Sequence, residues 1–156
     1  MVRMIQYKTK LTEDRRVKLE KEISVNRPDI VSIIRSPQDA TSVAKGFIGL
    51  HDEPEEHLYM ICMNTKNKII GVFEISHGNA NSSIVGVREI FQKALLANAM
   101  SIIVMHNHPS GDCSPSREDI EVTKRIVEAG KIIGVEVLDH IIVGDSYCSL
   151  KEKGYL

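Results

Sequence analysis

Apolar residues recur along this chain in short blocks whose spacing switches between two and three-to-four, the pattern of a domain that mixes strands with helices. From Glu56 to Asn64 and from Lys68 to Ile75 they are dense, with the polar Thr65, Lys66 and Asn67 between, which predicts a β-hairpin of buried strands. Val87 to Asn98 sets Ile90, Phe91, Ala94 and Leu95 at helical spacing, so a helix is expected to pack on that sheet. Ser101 to Met105 reads as a short apolar strand, and Val135 to Val143 and Tyr147 to Leu150 as two closing strands. The first 25 residues alternate only weakly, through Val2, Met4, Val17, Leu19, Ile23 and Val25, and predict an irregular strand pair.

Proline, glycine and small polar residues mark the boundaries. Ser36-Pro37 is a polar cap followed by proline, which predicts a helix from Pro37 to about Leu50, ended by the acidic loop His51 to Glu55. Asn107 to Ser114 is rich in Pro, Gly, Ser and Asp and reads as a loop. Ser114-Pro115 then repeats the cap signal, for a third helix running to about Gly130. The expected fold class is α/β, a central mixed sheet flanked by helices. Residues 1–35 form an arm of strands packed on the domain, and residues 36–156 form the domain itself. The chain shows no internal repeat, low-complexity tract or linker.

Composition narrows the class. A chain of 156 residues fits one hydrophobic core, and 42% hydrophobic with 26% charged residues is neither the polarity of disorder nor the monotony of a fibre. No apolar run approaches the roughly 20 residues of a membrane helix, and Met1 to Lys10 has no signal-peptide apolar region, so a cytoplasmic protein is expected. Cys62, Cys113 and Cys148 are scattered, with no C-x-x-C pair, and are expected to be reduced thiols. The net charge of -1 hides an asymmetry: residues 1–35 hold nine Lys or Arg against five Asp or Glu, leaving 11 against 16 for the rest. With only the arm basic, no Trp and 4% aromatics, the chain permits DNA as a partner but does not demand it.

The candidate chemistry gathers where the Ser101–Met105 strand runs out. In an extended segment residues i and i+2 point the same way, so His106 and His108 can turn both imidazoles toward one ion. Asp119, early in the third helix, can return a carboxylate to that point, and two histidines with one carboxylate form a catalytic zinc set that leaves a position for water. Each residue has a plainer reading. An H-x-H pair arises readily by chance in a chain with six histidines, and Asp119 can simply complete a capping box with Ser116. Pro109 and Gly111 can serve only the turn.

The motif H-x-H-P, a short loop, then S-x-x-D, here His106, His108, Pro109, Ser116 and Asp119, resembles that of the JAMM, or MPN-plus, metallohydrolases. More closely, the run from His106 to Asp119 (HNHPSGDCSPSRED) is similar to the RadC family, as are Ser82-Ser83-Ile84-Val85 upstream and Leu138-Asp139-His140-Ile141-Ile142 downstream. The resemblance spans about Ser36 to Leu156. It implies a JAB/MPN architecture, akin to cytidine deaminases, and one Zn²⁺ per chain on His106, His108 and Asp119. It also implies an acidic residue at the start of an early strand as general acid and base, matched by Glu56. Glu55 is the alternative if the register differs by one, and a solvated strand end is the plain reading of either.

Family members commonly begin with a helix-hairpin-helix segment, which residues 1–35 do not resemble, and this weakens any DNA-binding inference. The activity that the resemblance implies is hydrolysis of a peptide or isopeptide bond in a protein or peptide substrate. Ser116 is then either a hydroxyl donor to the developing oxyanion or a helix-start residue. His140 is either a neighbour of the metal ligands or a hydrogen-bonded core histidine, and His51, His57 and His77 have no partner spacing. Three rivals differ at named positions. A nucleobase deaminase needs H-x-E with P-C-x-x-C, which is absent. A metal-dependent nuclease or DNA-binding module would answer the DNA-repair association of the RadC name, and a scaffold domain would have lost ligands that are all present here.

Overall fold

The computed structural model of the chain describes residues 2–78 and 86–156. Strands β1 (Arg3–Leu11) and β2 (Val17–Asn26) pair antiparallel, with a shift of register between Gln6 and Tyr7. β2 is an edge strand and mostly exposed, so its alternation has little core to record, which is why the sequence signal there is weak. β3 (His57–Met63) and β4 (Ile69–His77) form the second hairpin. Its turn is set by Asn64, whose side-chain oxygen accepts from the Lys66 and Lys68 amides at 2.9 and 3.1 Å, and by Asn67 at φ 54°.

β5 (Ser101–Asn107) and β6 (Glu136–Val143) run parallel, joined by helix α3 (Arg117–Ile133), and β7 (Tyr147–Ser149) folds back on β6. β1 adds parallel to β4, so the first hairpin extends the sheet to seven strands in the order β2-β1-β4-β3-β5-β6-β7. The result is the mixed α/β sheet with flanking helices that the pattern predicts. Among the described residues no helix is long and apolar enough to cross a membrane.

Both faces of the central strands are buried, and the pleat sorts their side chains. Tyr59, Ile61 and Met63 of β3 join Ile103 and Met105 of β5 under helix α1 (Pro37–Val43). Leu58, Met60 and Cys62 join Ile102 and Val104 under α2 (Val87–Leu96) and α3. Even-numbered positions of β5 therefore face α3, which fixes where a ligand at 106 will point.

Three helix boundaries differ from expectation. The first helix stops being α-helical at Val43, widens into one π-helical stretch over Ala44–Ile48, and is turned off by Gly49 at φ 72° before the short 3₁₀ turn Leu50–Asp52. The cap of α3 is Ser116 and not Ser114, because only Ser116 has an acidic residue three positions on to close a capping box. Its end is Ile133, capped by Gly134 at φ 84°. Gly130 lies inside the helix, where a Cβ would come within 2.5 Å of the Val135 carbonyl oxygen.

Candidate metal centre

Strand β5 and the first turn of α3 build the site. His106 stands on the α3-facing side of β5, and the extended course continues past the strand end because the His108 amide donates to the Val143 carbonyl at 2.9 Å. His106 and His108 thus share a face, with their Nε2 atoms 3.0 Å apart. Asp119 reaches them from α3: Oδ1 is 3.2 Å from His106 Nε2 and Oδ2 is 3.3 Å from His108 Nε2. The capping box aims it, since Asp119 Oδ2 accepts from the Ser116 amide at 2.7 Å while Ser116 Oγ accepts from the Asp119 amide at 3.0 Å.

The donor chemistry suits a cation. His108 Nδ1 is 2.7 Å from the Asp112 carbonyl oxygen, which can only accept, so Nδ1 carries the proton and the neutral ring turns a lone pair at Nε2 inward. Nitrogen lone pairs and a carboxylate within 4.8 Å of one another repel unless a positive charge sits among them. The spacings of 3.0 to 3.3 Å also match the roughly 3.3 Å between ligands held about 2.0 Å from a tetrahedral metal. Where a proton on either Nε2 takes the cation's place, burial alone would raise the Asp119 carboxyl, but hydrogen bonds from the His106 and His108 rings hold it well below the usual carboxylate range. The same carboxylate raises the His108 imidazole above its ordinary value, against partial burial. These three residues can hold a metal ion.

A cleft opens beside them, lined also by Glu56, His57, Leu58, Ser76 and Glu118. Leu58 pairs with His106, and Glu56, in the loop just before that strand, lines the cleft, whereas Glu55 is not among the lining residues. The loop is fastened by a residue that sequence reasoning misses. Asn107, between the two histidines and facing away from them, is 1% exposed. Its side-chain oxygen accepts from the His57 amide at 2.7 Å, and its amide group donates to the Glu53 and Glu55 carbonyls at 3.2 and 2.9 Å. One asparagine thus ties the loop that carries Glu56 to the strand that carries the ligands.

Ser116 is exposed, acts as the α3 cap, and is not among the residues that line the cleft. His57 sits at the cleft rim, held by Glu74 at 2.8 Å and stacked on His77, while His51 pairs with Asp52. Cys62 is buried, its thiol pushed up to about 12 by burial, and all three cysteines are free thiols. Ser82 to Val85 lie outside the described residues. Thr123, likewise missed from sequence, is buried one turn beyond Asp119 and touches His140. Its i+4 spacing from Asp119 is the one local signal that could have found it.

The fold and the cluster together define a mixed α/β domain with two histidines and an aspartate, at the end of a central strand, that can hold a metal ion. The model of the RadC-like JAB domain matches residues 34–155, and the chain belongs to that family. It is 47% identical over 140 residues to a UPF0758 protein of Rubrobacter xylanophilus, covering 90% of this chain and 61% of the relative. A UPF0758 protein of Caldanaerobacter subterraneus is 59% identical over 102 residues (65% and 44%), and one of Bacillus licheniformis 50% over 125 residues (80% and 55%). The chain spans about half the length of these curated relatives.

Proposed function

We propose that this chain is a zinc-dependent hydrolase that cleaves a peptide or isopeptide bond. The reading is carried by one observation: His106, His108 and Asp119 set three donors 3.0 to 3.3 Å apart beside a cleft that also holds Glu56. Two imidazoles and a carboxylate are a zinc donor set and a poor match to the all-oxygen preference of magnesium or calcium. Held by His106, His108 and Asp119, zinc would supply a water activated near neutral pH. Glu56, which lines the cleft, would act as general base toward the attacking water and as general acid toward the leaving amine. Leu58 and Val122 give the cleft apolar wall, which limits water around the reacting bond.

A screen of peptides and lysine-linked conjugates against the zinc-loaded chain tests the reading. Cleavage abolished by chelation and restored by zinc is the expected result. Magnesium- or manganese-dependent nicking of plasmid DNA with no amide cleavage would replace it with the nuclease alternative.

Ser116 Oγ accepts from the Asp119 amide, which leaves its own O–H free to donate to an oxyanion. Ser116→Ala is expected to lower kcat by about 10²- to 10³-fold. The lost cap should cost about 1 kcal/mol of stability. Kinetics beside denaturant titrations separate the two effects, and an unchanged kcat would leave Ser116 as a cap alone.

A further inference from the structure

Of the two nitrogens of the His106 ring, one faces the cluster, and the position of the ring proton decides whether a cation meets a lone pair or an N–H there. Nothing within β5 sets that position. The parallel register places His140 of β6 opposite Val104, and its Nε2 is 2.7 Å from His106 Nδ1. His140 Nδ1 is 2.6 Å from Thr123 Oγ1, and the Thr123 hydroxyl donates to the Asp119 carbonyl oxygen at 2.6 Å.

The directions follow from proton counting. A carbonyl oxygen only accepts and a hydroxyl has one proton, so Thr123 gives its proton to Asp119 and accepts from His140 Nδ1–H. Reversing that bond would set two oxygen lone pairs against each other at 2.6 Å. With its proton on Nδ1, neutral His140 accepts at Nε2 from His106 Nδ1–H. His106 Nε2 is left with its lone pair directed at His108 and Asp119. His140 and Thr123 are 2% and 1% exposed, so the relay has little access to bulk solvent through which to re-route.

We propose that His140 and Thr123 are positioning residues of the metal centre, a hydrogen-bond relay that holds His106 in the tautomer able to bind a cation. The relay starts on the ring of one ligand and ends on the backbone of another, so it also braces the Asp119 turn of α3 against β5. The inference rests on the reading of His106, His108 and Asp119 as a metal site.

Thr123→Val keeps the side chain's size and removes the acceptor, and Thr123→Ser restores it. Zinc is titrated calorimetrically into chelator-stripped full chain, and the histidine tautomers of the zinc-free protein at pH 8 are read from two-bond ¹H–¹⁵N imidazole correlations. The expected results are a proton on His106 Nδ1 in the parent chain, a Kd for zinc about 10- to 100-fold weaker in Thr123→Val, and recovery in Thr123→Ser. A parent His106 protonated at Nε2, or parent-like zinc binding by Thr123→Val, would overturn the relay. The tautomer is read without metal, so the two failures are distinguishable: a correct tautomer with no zinc uptake removes the metal reading, and this inference with it, whereas zinc uptake with an Nε2-protonated His106 removes the relay alone.

Discussion

Glu56→Gln is expected to keep its zinc and lose turnover by about 10²- to 10⁴-fold, the range that general acid–base groups supply. Glutamine matches glutamate in size and keeps a hydrogen-bonding head, but it cannot take a proton from water or return one to an amine. Glu56 is exposed and lies outside the ligand cluster, so the substitution leaves His106, His108 and Asp119 as they are. Metal content measured alongside steady-state rates on a cleaved conjugate checks both halves. A glutamine variant with parental turnover would move the base elsewhere, and the same substitution at Glu55 would then be the next comparison.

Asp119 carries two duties that substitutions can separate. As the third residue of α3 it accepts from the Ser116 amide, and as a carboxylate it faces both imidazoles. Asp119→Asn keeps an oxygen for the capping box and removes the negative charge, so zinc affinity is expected to fall by at least about 10²-fold, more than loss of an outer partner would cost. Asp119→Ala loses the charge and the box together. In chelator it should be less stable than Asp119→Asn by about 1 kcal/mol, which is roughly 2–4 °C in Tm for a domain of this size. Thermal melts with chelator and with zinc check this, because bound metal raises the Tm of the parent chain only while the site can hold it. An asparagine variant whose Tm still climbs with zinc as the parent's does would show that the carboxylate is not a ligand.

The elements legible in the sequence are those governed by local spacing. The β3–β4 hairpin, α2 and β5 follow from periodicity, and the shared face of His106 and His108 follows from the two-residue repeat of a strand. The helix starts are harder where two cap signals compete: Ser114-Pro115 and Ser116-x-x-Asp119 stand two residues apart, and the reciprocal hydrogen bonds of the second prevail. The features hidden from sequence depend on long-range register. His140 meets His106 across 34 residues of sequence, and Asn107 fastens the Glu53–His57 loop from 50 residues away. Neither contact has a local pattern. Glu55 and Glu56 are indistinguishable as sequence, and only the folded loop sets Glu56, and not Glu55, among the residues that line the cleft.

Elemental analysis of the purified 156-residue chain, beside His106→Ala prepared identically, tests the metal centre most directly. The account predicts about one zinc per chain in the first and little in the second. Preparations lacking stoichiometric zinc even after its addition, or a zinc content that His106→Ala leaves unchanged, would contradict it.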